Sequence, residues 1–148
     1  MTDLQVLYHD LVRFETELWA ALDARLRSDC NLPLTWFEIM KLLRHRDGQR
    51  VHDVAEEFVI TVGGASKIID RIELAGLCRR VPNPRDRRSV LIVLTPEGTG
   101  KVDAATAVFD DELARRFGAV LGPVELDRMA AGLRLLRSAP QENSAGRA

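Results

Sequence analysis

The feature that most constrains this chain is a change of hydrophobic period between Val51 and Thr95. Val51, Val54, Ala55 and Phe58 recur at helical spacing, and after a tight turn at Ile60-Thr61 so do Ile68, Ile69 and Ile72, with Gly76 as a stop. From Leu77 the rhythm shortens to two partly β-branched runs, 77–81 and 90–94, which flank Pro82-Asn83-Pro84-Arg85-Asp86-Arg87-Arg88-Ser89. A loop of that Pro, Asn and Asp content cannot continue a helix, so the runs are expected to form a β-hairpin with a basic tip. A short helix, a turn and a second helix over about 62–74 make a helix-turn-helix, and the hairpin behind it makes a wing.

The flanks are helical. Leu4, Leu7, Leu11, Leu18, Leu22 and Leu26, broadened by Tyr8, Val12 and Trp19, mark an amphipathic helix of roughly seven turns at ~3.6 residues each. That is longer than a small core needs, so part of its apolar face is expected to meet another chain. Asn31-Leu32-Pro33-Leu34 breaks it. Thr35 with Glu38 three positions later has the form of a capping box ahead of Trp36, Ile39, Met40 and Leu43. Thr95-Pro96 is a second helix start, followed by Val102, Ala105, Phe109, Leu113 and Phe117. After an interruption over 118–123, Leu126, Met129, Leu133 and Leu136 form a last stripe. The expected fold is mainly α with a small β-hairpin: a winged helix-turn-helix lobe at about 35–95, helical dimerisation segments at about 3–30 and 96–138, one unit over 1–139, and a flexible polar tail at 140–148.

Charge distribution narrows the function. The net charge of −1 excludes a polycation that coats nucleic acid unselectively, but residues 61–90 hold seven basic side chains (Lys67, Arg71, Arg79, Arg80, Arg85, Arg87, Arg88) against three acidic ones (Asp70, Glu73, Asp86). A basic segment in an otherwise acidic chain is what a localised phosphate-binding face produces. No stretch approaches the ~18 to 20 apolar residues of a membrane span, and the N-terminus lacks a signal-like pattern, so a cytoplasmic location is expected. Cys30 and Cys78 are expected to be reduced thiols rather than a disulfide or a zinc cluster.

The run Asp86-Arg87-Arg88-Ser89-Val90-Leu91-Ile92-Val93-Leu94-Thr95 resembles the wing motif of the MarR family of transcription regulators, Asp-x-Arg-x-x-x-Val-x-Leu-Thr, with Ile92 in place of the family valine. Helix order, hairpin position and length are also similar to that family. The resemblance implies a homodimer, built from the first and last two helices, that sets two winged lobes on a palindromic operator in double-stranded DNA. It also implies a repressor, released in many members by a small aromatic acid bound between the dimer region and the lobe, and in some by cysteine oxidation. It further implies that Asp86 and Arg88 pair to brace the wing.

For the fourth helix, the short-sided first turn Thr61-Val62-Gly63-Gly64-Ala65-Ser66-Lys67 would let the backbone approach the major groove. Thr61, Gly63, Gly64, Ser66, Lys67 and Arg71 are the DNA-contact candidates there, with Lys67 and Arg71 ahead of Gly63. Two helix glycines are otherwise just a poor helix start or a packing site. At the wing, Arg87, with Arg85 as second candidate, is expected to enter a minor groove, whose negative potential accepts such crowded cations. The alternative is a solvated charged loop. Arg79 and Arg80 alternate on a strand, so at most one faces DNA.

Trp19 and Trp36, with His9 and Phe37 near them, are candidates for an aromatic-acid pocket, although tryptophans at stripe spacing are also ordinary core. His45 and His52 lack a third ligand, so no metal site is expected, and nothing calls for a cofactor. No nucleophile motif or paired carboxylates support an enzyme. The rival reading is a winged helix serving as a protein-interaction module without sequence-specific DNA binding. That reading predicts an acidic or apolar wing rather than an arginine-rich one.

Overall fold

The computed structural model describes residues 1–139, so the expected tail at 140–148 lies outside the described residues. The elements run α1 (Leu4–Cys30), α2 (Leu34–His45), α3 (Val51–Glu57), α4 (Val62–Leu74), β1 (Cys78–Pro82), β2 (Val90–Leu94), α5 (Pro96–Leu113), a π-helical turn (Ala114–Gly118) and α6 (Pro123–Ser138). Two compact units result, Met1–Glu112 and a second that begins at Leu113.

In the first unit the core is aliphatic with one large ring. Leu26, Leu32, Leu34, Phe37, Met40, Val54, Ile69, Ile72, Ile92 and Val102 are fully buried, and they come from every element of that unit except β1, which adds Cys78. Phe37 of α2 meets Phe109 of α5 at 4.9 Å between ring centroids, and the Lys41 ammonium lies over both rings. The antiparallel hairpin pairs Cys78 with Leu94 and Pro82 with Val90, and Gln49 adds one bridge to Ile92 on its other edge. α3 and α4 pack together, and α4 also touches β1 and α2.

Helix α2 starts differently from the expectation. Its first residue is Leu34 after Pro33, and no side chain of its own caps it, so the Thr35–Glu38 capping box does not form. The cap comes from α1 instead: Asp23 Oδ1 accepts the Leu34 N–H at 2.9 Å, while its Oδ2 pairs with Arg27 at 2.7 Å. A helix N-terminus needs an acceptor, and here a neighbouring helix already supplies one.

The corner after α4 is tight. Gly76 holds φ +78°, and the Thr95 hydroxyl donates to its carbonyl at 2.7 Å while accepting the Gly98 amide at 3.0 Å. Gly98 is obligatory, since a Cβ there would stand 1.9 Å from the Leu77 carbonyl oxygen. The start of α5 is thus locked to the end of α4 and the root of the hairpin.

In the second unit the π-helical turn packs on α6. α6 buries none of its residues, and Val124, Leu135 and Leu136 are exposed. No helix among the described residues is long and apolar enough to cross a membrane.

Candidate nucleic-acid interface

Helix α4 begins where Thr61 Oγ1 accepts the Gly64 amide at 3.0 Å. Ala65, Ile69 and Ile72 turn one side of the helix into the core. That periodicity leaves Thr61, Val62, Gly63, Lys67, Asp70 and Arg71 exposed, with Gly64 and Ser66 half-buried. Gly63, Lys67 and Arg71 follow at intervals of four, so they share one face of the helix.

The wing is held by its own polar side chains. Asn83 accepts the Arg85 amide on Oδ1 at 3.0 Å and donates from Nδ2 to the Ser89 hydroxyl at 2.8 Å. Asp86 Oδ1 accepts the Arg88 amide at 3.0 Å, and the Ser89 amide donates to the Asp86 carbonyl. The pairing implied for Asp86 and Arg88 therefore runs from carboxylate to backbone, and no ion pair joins their side chains among the described residues. Asn83 and Ser89 are braces that the sequence reading missed, although Asn and Asp at the start of such turns are the signal for them. Arg85, Arg87 and Arg88 are all exposed.

The two strand arginines separate as their alternation requires. Arg80 is half-buried: its guanidinium pairs with Glu73 and, at 2.7 Å, with Asp70, while its amide donates to Glu73. Arg79 is exposed. Lys67, Arg71, Arg79, Arg85, Arg87 and Arg88 enter no ion pair among the described residues, whereas Arg80 consumes both acidic side chains of α4's second half. Beneath this surface burial pushes the Cys78 thiol up to about 11, with Glu73 reinforcing it.

A cavity of about 460 Å³ opens at the end of α4, lined by Arg27, Asn31, Pro33, Trp36, Ala75, Leu77, Glu97 and Lys101. Trp36 belongs to it. Trp19, 43% exposed on α1, is not among the residues that line it. Phe37 is wholly core, and His9 lines a groove on α1 with Val12, Arg13, Thr16 and Glu17. Cys30 is half-buried at the end of α1. Among the described residues no three His, Cys, Asp or Glu side chains are grouped to hold a metal ion.

Comparison with known proteins places this geometry. The model of the MarR family matches residues 32–90. The HTH-type transcriptional regulator YkoM of Bacillus subtilis is 30% identical over 95 residues, which cover 64% of this chain and 61% of YkoM. The chain thus spans about three-fifths of the length of that relative. Sco3205, a MarR family transcriptional regulator from Streptomyces coelicolor solved in complex with DNA, has the same fold, with a TM-score of 0.85 at 22% identity, covering 100% of this chain and 95% of its own. Bordetella bronchiseptica BpsR, whose DNA binding is regulated by 6-hydroxynicotinic acid, gives a TM-score of 0.79 at 25% identity, covering 89% and 93%.

Proposed function

We propose that the chain belongs to the MarR family and, from that premise, that it is a sequence-specific, double-stranded DNA-binding transcription repressor that acts in the cytoplasm as a homodimer. The observation that carries this reading is the set of unpaired cations on α4 and the wing. Lys67, Arg71, Arg85 and Arg87, like Arg79 and Arg88, stand exposed with no ion pair among the described residues, while Arg80 is neutralised within the fold. Such an arrangement is unfavourable to the free protein and suits a polyanion. The rival protein-interaction module predicts an acidic or apolar wing in its place.

The roles divide by element. Thr61, Gly63, Gly64 and Ser66 border the major groove at the start of α4, with Lys67 and Arg71 on bases or phosphates one and two turns along. Arg87, with Arg85, enters the flanking minor groove, held at the right height by the Asn83–Asp86–Ser89 brace and the Asp86–Arg88 backbone contact. Selection of bound fragments from a genomic pool tests the reading. A palindrome should be enriched, with half-sites about 34–36 Å apart. Arg87→Ala should weaken its binding and lower the salt slope by about one. An Arg87→Ala protein with unchanged affinity and slope would remove the wing from the interface, and no enrichment at low salt would favour the interaction module.

A small aromatic acid is the proposed releasing effector, seated in the Trp36 cavity. The indole supplies a flat apolar wall, and Lys101 supplies positive charge for a carboxylate. Because Ala75 and Leu77 line the same cavity directly behind α4, an occupant there bears on the reading helix. With 6-hydroxynicotinic acid and related acids as probes, release from the operator should occur in the parent and fail in Trp36→Ala. Equal release from both would exclude this cavity.

A further inference from the structure

The first turn of α4 holds a feature that its cations do not explain. Thr61 Oγ1 already accepts the Gly64 amide, and the next three residues, Val62, Gly63 and Gly64, carry no hydrogen-bonding side chain. Val62 is 49% exposed, and Ile60 in the turn before it is also exposed. A helix tip that reads bases through donors and acceptors would not be built of aliphatic surface.

The two glycines differ in what they owe to the fold. A Cβ on Gly64 would press on Thr61 Oγ1 at 3.0 Å, so the cap itself accounts for that glycine. A Cβ on Gly63 would meet nothing within 4 Å, and its backbone is not left-handed. Alanine would fit there and favour the helix more. The fold gives no reason for the bare backbone at Gly63, which points outward to something that comes close. Gly63 shares its face with Lys67 and Arg71, so an anionic partner arrives at this face, and DNA in its major groove is that partner. Of the groups that bases display in that groove, one is apolar: the C5-methyl of thymine.

We propose that Val62 is a specificity determinant whose isopropyl group packs on the C5-methyl of a thymine in each half-site, with Gly63 left bare so that the helix sits deep enough to reach it. The inference rests on the DNA-binding reading above and adds the base and the chemistry that reads it. Sequence preference at this position comes from hydrophobic contact and close approach, not from a side-chain hydrogen bond.

Replacing operator thymines singly by deoxyuridine removes the methyl and leaves base pairing intact. In the parent, one thymine per half-site should show a loss of about fourfold, the worth of one buried methyl-sized group. Val62→Ala should bind both operators alike, and Val62→Thr, which keeps the shape, should keep part of the discrimination. Gly63→Ala should melt no lower than the parent yet bind the operator at least about tenfold more weakly. If the parent binds every deoxyuridine operator within twofold of the unmodified one, or Val62→Ala keeps the parent's penalty, the inference falls while the DNA-binding reading stands. A Gly63→Ala protein that binds like the parent overturns the close approach. If no operator is enriched at all, both readings fail together.

Discussion

β-Branched side chains avoid the left-handed backbone region because their Cβ substituents crowd the following carbonyl, and Val59 sits there, at φ +54°. Nothing in the fold rewards it, since the side chain is 91% exposed in the turn between α3 and α4. Strain of this kind costs of the order of 1–3 kcal/mol, more than the entropy that glycine loses on folding. Val59→Gly should therefore raise the stability of the protein by about 1 kcal/mol, measured by urea unfolding. A lower midpoint would refute the strain. Cysteine reactivity separates at the same scale. Cys78 is buried with its thiol held near 11, so at pH 7.5 a disulfide reagent such as Ellman's should titrate Cys30 first and reach Cys78 only on unfolding. Two equally fast thiols would contradict that. Single residues were also where reading from sequence went furthest: alternation alone separates Arg79 from Arg80, because strand neighbours must face opposite ways. It stops at partners, for nothing in the string of residues says that Arg80 would find both Asp70 and Glu73.

Among the elements, the junction of α1 and α2 rests on one carboxylate. Burial works to raise the pKa of Asp23, but the Leu34 amide and Arg27 outweigh it, and the net shift is downward. The folded pKa then lies below the unfolded value of about 3.9, so the unfolded chain binds more protons. The stabilisation from Asp23 is complete above about pH 4 and is lost as pH falls through the folded pKa. Asp23→Ala should cost roughly 1 kcal/mol at pH 7, the usual worth of a helix cap, and the gap between parent and variant should narrow at pH 3. A gap independent of pH would mean that the ionised carboxylate does not matter. This cap also shows why the start of α2 was illegible from sequence. Thr35 and Glu38 have the right local spacing, and a partner eleven residues upstream on another helix took the role instead. Local patterns did suffice for the bounds of α4 and for the hairpin, whose register follows from two short runs around a turn. The Trp36 cavity was half legible, through one residue, because its walls come from α1, α2, α5 and the corner after α4.

Taken whole, the molecule exposes more aliphatic surface on its flanking helices than a solitary chain needs. Leu4, Leu7, Tyr8, Leu11, Val12 and Trp19 are all exposed on α1, at the three- and four-residue spacings of one helical stripe. α6, with no buried residue, exposes Leu133, Leu135 and Leu136. Contiguous apolar patches of this kind mark association surfaces rather than ordinary exposed residues. A second copy of the chain is the occupant that the proposed function requires, because a palindromic operator repeats each half-site under a twofold axis. Changing Leu7 and Leu11 together to glutamate places two charges in the stripe without touching the buried pair Leu22 and Leu26. Sedimentation at micromolar concentration should find the parent as a dimer and the double variant as a monomer, with helical content retained. Binding of that monomer to the full palindrome should drop to the level of a single half-site, and a parent that sediments as a monomer would remove the twofold arrangement from the proposal.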